Sequence, residues 1–103
     1  MLSVVLVSRD PAWALAAAGR PRPADAPLHV VLLDSGAGAA RTTHPCAGRI
    51  RDALGAGITV VVHDEAALRR GMTAADLVEG VKTVDLDEIA DLVADAAGTV
   101  MWL

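Results

Sequence analysis

Ile58-Thr59-Val60-Val61-Val62-His63-Asp64-Glu65 is the stretch that decides the fold. A Val-rich run too short for a helix, and not alternating with polar residues, is the pattern of a strand buried on both faces. It breaks at His63. The carboxylates that follow favour a helix start, with Asp64 placed to cap a short helix and Gly71 to end it. A strand that passes directly into a helix is the unit from which parallel sheets are built.

Working outward, two earlier runs repeat the strand pattern, Leu2 to Val7 and His29 to Leu33. Between them, Asp10 and Pro11 open a helix: the Asp oxygen can accept from a free backbone N–H, and Pro loses nothing at the first position. Gly19 suits the end of that helix, and Arg20 to Pro27, with three prolines, reads as a loop. The second run ends in Asp34-Ser35-Gly36-Ala37-Gly38, which reads as a turn. Pro45 then suits the first turn of a helix whose apolar face is Cys46, Ala47, Ile50, Ala53 and Leu54, closed by Gly55 and Gly57.

Beyond the third strand, Thr73 with Asp76 has the form of a capping box for a helix ending near Gly80. The last helix has the clearest stripe, Leu86, Ile89, Ala90, Val93 and Ala97, with Asp85 and Glu88 at its start. Thr99 to Trp102 reads as a terminal strand. Alternation of this kind predicts one α/β domain over residues 1–103, a three-layer α/β/α sandwich with a mainly parallel sheet of about five strands.

Composition narrows the function. With two Trp and neither Phe nor Tyr, the core has to be Val and Ile strands under Ala-rich helices. A net charge of −4 without clustered Lys and Arg, and without an aromatic platform for bases, argues against direct nucleic-acid binding. One cysteine makes no intrachain disulfide. Leu2 to Val7 is too short to span a bilayer and has no basic segment before it, so no membrane segment and a cytoplasmic location are expected.

In open α/β sheets, ligands gather where strands end and helices begin. At His63 an imidazole leaves a buried strand at a helix start, beside Asp64 and Glu65. The helix dipole there favours the neutral ring, able to act as base, donor or metal ligand. The plainer reading is a His63 bonded to a loop carbonyl and an Asp64 that only caps. Both stay open, as does residual catalysis by His63 and Asp64.

The Gly36-Ala37-Gly38 turn can offer backbone N–H groups to an anion, with Ser35 and Gly36 as the candidate ligand contacts, although a plain tight turn is the favoured reading. A dinucleotide fingerprint would place glycine at position 41, where Arg41 stands, so no nucleotide cofactor is expected. His44, Cys46 and His63 make a weak metal set, since their spacing matches no zinc signature. Cys46 beside Pro45 suits a small core residue better than a nucleophile, and no Ser-His-Asp order is present.

From Ile58 to Leu103 the chain resembles the DsrE/DsrF/DsrH family, which includes the TusB, TusC and TusD subunits of the bacterial sulfur relay. The resemblance is carried by the Val-rich third strand, Ala66-Ala67-Leu68-Arg69-Arg70-Gly71-Met72, Glu79-Gly80-Val81, the helix from Leu86 and the closing Val100-Met101-Trp102-Leu103. Leu32-Leu33-Asp34-Ser35-Gly36 is similar to a strand end of DsrH and TusB proteins. The resemblance implies homo-oligomers or assembly with related DsrE-like subunits. It also implies that the third strand's end is the working position, where the sulfur-carrying members place a persulfide-bearing cysteine. Here that position is His63, and imidazole carries no sulfane sulfur. A non-carrier accessory or regulatory subunit is therefore expected; the alternative is a small-ligand or metal-binding protein, or a weak enzyme, built on His63.

Overall fold

The computed structural model describes residues 1–18 and 26–103. The chain runs β1 (Ser3–Val7), α1 (Pro11–Ala18), β2 (Leu28–Leu32), α2 (Ala47–Gly55), β3 (Thr59–His63), α3 (Asp64–Arg69), β4 (Lys82–Val84), α4 (Leu86–Asp95) and β5 (Val100–Trp102). The helix end expected at Gly19, and residues 20–25 of the loop expected from Arg20 to Pro27, lie outside the described residues.

All five strands join one sheet in the order β4-β3-β2-β1-β5, every pair parallel. The chain steps in one direction from β1 to β4, and α4 then carries it back to the far side of β1. Register sorts the side chains into two faces. Val5, Val30 and Val60 lie in line on one, and Val4, His29 and Thr59 on the other. The first face buries Leu15 of α1, Ile50 of α2 and Ala66 and Ala67 of α3. On the second, Val4, Leu6, Val31, Val61 and Val84 pack with Ile89 of α4. This is the expected three-layer α/β/α arrangement. Both tryptophans stay out of the core: Trp13 and Trp102 are exposed.

Local signals explain most element ends. The Asp10 carboxylate accepts from the Trp13 amide at 3.1 Å, opening α1. Asp85 and Glu88 form the reciprocal capping box of α4, the Asp85 carboxylate accepting from the Glu88 amide at 2.8 Å. Gly57 has φ +86, a left-handed conformation that closes the α2–β3 turn without strain.

Several expectations are corrected. Asp34–Ala40 is not a simple turn but a seven-residue 3₁₀ segment, its small residues packed into the first core. Asp64 is the first residue of α3, not its cap; extended His63 holds the cap position, and α3 ends at Arg69. The Thr73–Asp76 box is present but starts only the 3₁₀ turn Ala74–Asp76. Of the expected α4 stripe, Ile89 and Val93 face the sheet, whereas Leu86, Ala90 and Ala97 are exposed, and Leu92 and Ala96 pack with Ile89 in their place. The strand β4 is an element that local pattern did not place. No described helix is long and apolar enough to cross a membrane.

Candidate functional site

The carboxyl end of β3 lies beside that of β4, because His63 is in register with Val84. Each strand turns at once into a helix, so the starts of α3 and α4 are brought together. His63, Asp64 and Glu65 therefore share an open cleft of about 260 Å³ with Asp85, Leu86 and Asp87. The imidazole is mostly buried, and its Nε2 lies 3.7 Å from Asp64 Oδ1. That same Asp64 oxygen accepts from the Glu65 amide at 2.6 Å, and Glu65 pairs with exposed Arg69 at 3.6 Å.

Four carboxylates around one imidazole set the chemistry of this cleft. A thiolate or persulfide placed here would be repelled, because nearby like charge disfavours an anion. The arrangement suits a cationic or hydrogen-bond-donating group. Asp85 and Asp87 were not among the expected site residues: the capping box marked Asp85, but only the pairing of β3 with β4 places it opposite His63.

The remaining candidates do not converge into a metal centre. Among the described residues, no group of three or more His, Cys, Asp or Glu side chains is placed to hold a metal ion. Cys46 is buried at the N-terminal boundary of α2, and its amide donates to His44 Nδ1 at 3.0 Å, so these two residues close a loop together. Ser35 is exposed, whereas Gly36 is buried and its amide already donates to the Leu33 carbonyl at 2.7 Å. Asp76 has its pKa held below the ordinary carboxylate value by the bond from the Thr73 amide, then by the Thr73 hydroxyl and by Arg41.

Solved structures of the same architecture exist. The ychN protein from E. coli superposes with a TM-score of 0.80 at 18% identity, covering 100% of both chains. MTH1491 from Methanobacterium thermoautotrophicum, a protein of unknown function, gives a TM-score of 0.79 at 17% identity, covering 99% of this chain and 97% of its own. BT1422 from Bacteroides thetaiotaomicron, a conserved protein of unknown function, gives 0.75 at 12% identity, covering 99% and 94%. No protein-family model and no curated protein matches the sequence. At these identities the likeness shows the fold, and it extends over the whole chain.

A second polar position lies within the sheet. His29 occupies β2 on the face beneath α4, and its Nδ1 is buried with no hydrogen-bond partner among the described residues. Burial lowers its pKa below the ordinary 6.5. The unfolded chain therefore takes up this proton first as pH falls. The stability that depends on a neutral His29 is intact above about pH 6.5 and is lost as pH drops through the depressed folded value. Thermal melts from about pH 7.5 to 5 are expected to show a falling Tm whose slope His29→Leu reduces; an unchanged slope in the variant rejects this assignment.

Proposed function

We propose that residues 1–103 act as one DsrE/DsrH-like domain, a non-sulfur-carrying accessory or regulatory subunit that works through oligomer or partner binding. The observation that carries this reading is the end of β3, where His63 stands among four carboxylates and no thiol is present. The chain's one cysteine is buried at the N-terminal boundary of α2. Imidazole cannot hold a sulfane sulfur, and the surrounding negative charge opposes a persulfide anion.

Association is supported by apolar surface at one sheet edge. Val100, Met101 and Trp102 of the edge strand β5 are all exposed, Trp102 at 69%. The Trp102 ring is held in place by its Nε1, which donates to Ser8 Oγ at 2.9 Å. A fixed aromatic on an open strand edge presents contact area at little cost in conformational entropy. Metal binding at His63 has less behind it, since the described donors do not converge.

One preparation tests both halves of the reading. After incubation with a sulfur donor, a persulfide-specific reagent should leave the native protein unlabelled; labelling of Cys46 overturns the non-carrier assignment. Sedimentation velocity on the same protein should show concentration-dependent association that Trp102→Ser weakens. A monomer at every concentration that also retains no DsrE-like subunit removes the binding half.

A further inference from the structure

One side of the edge strand β5 pairs with β1, and its other side meets no strand. The bonds to β1 fix which of its backbone groups are spent. The Thr99 carbonyl accepts from the Val4 amide at 2.9 Å, while the Leu103 amide donates to the Leu6 carbonyl and its carbonyl accepts from the Ser8 amide, each at 2.7 Å. Alternate residues of a strand aim their N–H and C=O to the same side, so those of Val100 and Trp102 point away from the sheet.

The two edges of the sheet differ. The β4 edge carries exposed Lys82, a charge that discourages another strand from pairing. Residues 98–103 carry no charge, and Val100, Met101 and Trp102 are all exposed. Register divides these side chains between the faces: Met101 lies beside Val5 on the first, Val100 and Trp102 beside Val4 and Leu6 on the second. Next to Met101 a groove of about 210 Å³ separates β5 from α1, lined by Ala14, Ala17, Ala18 and Leu103. Exposed Trp13, one helical turn before Ala17, flanks it.

We propose that β5 pairs antiparallel with β5 of a second copy about a two-fold axis at Met101, joining two five-stranded sheets into one. This rests on the association reading above and names its partner and geometry. Under that axis Val100 lies opposite Trp102 of the partner subunit, and the two exchange both backbone bonds, so every outward group of β5 is satisfied. On the second face this sets an indole against a β-branched side chain, a stabilising cross-strand pair. Met101 meets Met101 of the partner subunit as the pair without hydrogen bonds, Cα atoms about 4.5 Å apart. Each methionine then extends along the first face toward the groove beside the other copy's α1, a space that a flexible thioether chain fills well. Two copies of net charge −4 repel one another, so a self-contact needs an uncharged stretch, which this edge supplies. An unrelated strand could complete the ladder, but only the two-fold itself places a long apolar side chain opposite Met101.

Sedimentation velocity of the whole chain should show a reversible dimer, half-assembled on the order of 10 μM. Val100→Pro removes an outward N–H that the fold does not use, at an edge position where proline is tolerated. It should weaken the dimer by about tenfold or more with circular dichroism unchanged. Met101→Cys should give a disulfide-linked dimer under mild oxidation, because the facing Cα atoms are within disulfide reach; Thr83→Cys, on the exposed β4 edge, should not. Association that survives Val100→Pro, or equal linking of the two cysteine variants, overturns the edge pairing and leaves oligomer binding standing. A chain that stays monomeric yet retains a DsrE-like subunit overturns the second copy alone. Neither result bears on persulfide labelling at Cys46, so this inference and the accessory-subunit reading fail separately.

Discussion

Gly36→Ala is expected to remove a large part of the chain's stability, about 3 kcal/mol or more. Gly36 lies in the 3₁₀ segment that follows β2, pressed against the last residue of β1. A Cβ built there overlaps the Val7 carbonyl oxygen and comes within 3.0 Å of the Val7 carbonyl carbon. Those are backbone atoms, so no rotamer change relieves the overlap. The same Val7 oxygen accepts the Leu33 amide at 2.8 Å, one of the bonds that holds the carboxyl ends of β1 and β2 together. Relief would have to come from parting two central strands.

Gly38→Ala is the matched comparison. Its nearest neighbour would be Arg70 Cδ at 3.9 Å, an ordinary contact, and its φ is not positive. A change within about 0.5 kcal/mol is expected, since restricting the unfolded chain offsets any small strain. Urea unfolding of both variants reads the difference directly. Equal losses would show that close approach to Val7 is not what requires glycine at position 36. The comparison also bears on the ligand reading of Ser35-Gly36, because the approach to β1 accounts for the glycine without any bound group.

The second large effect is expected at Ile50. Helix α2 meets the sheet through Ala47, Ile50 and Ala53, and only Ile50 among them is large. It is fully buried. Ile50→Ala should cost about 3 kcal/mol, the lost transfer free energy plus a cavity that small, rigid neighbours cannot fill. For a chain whose total stability is on the order of 5–15 kcal/mol, that is a substantial share. Ile50→Val should cost only about 1 kcal/mol. The urea midpoint should fall in that order with an unchanged m-value. A loss under about 1 kcal/mol for Ile50→Ala would mean that α2 is not anchored by this side chain.

The central strands were legible because a strand covered on both faces needs apolar residues at every position, and Val4–Val7, Val30–Leu32 and Val60–Val62 supply them. The edge strand β4 escaped the same criterion. Lys82 and Thr83 are exposed, and only Val84 is buried. Its strand conformation is imposed by pairing with β3, not by its own composition. The α4 stripe was displaced for a related reason: Leu86 starts the helix at the rim of the sheet and stays exposed, so the contact face begins at Ile89 and continues through Leu92, Val93 and Ala96.

The candidate site divides the same way. His63 with Asp64 and Glu65 could be read from one contiguous stretch, because a strand end followed by a helix start is a local event. Asp85 and Asp87 belong to a separate segment further along the chain, and their place in the cleft follows from β4 lying next to β3. His29 was hidden altogether, since it falls inside an otherwise apolar run and nothing local says which face it takes or what lies above it.

By itself, then, the stretch from Ile58 to Glu65 determined the class of fold, the position of the strand end and the absence of a thiol there, all of which depend on covalent neighbours and short-range periodicity. The tertiary structure alone decided that this end is an acidic cleft shared by two helices, and that α4 leaves a groove over His29. Each of those depends on strand order, which is set by packing between distant segments and has no local sequence signal.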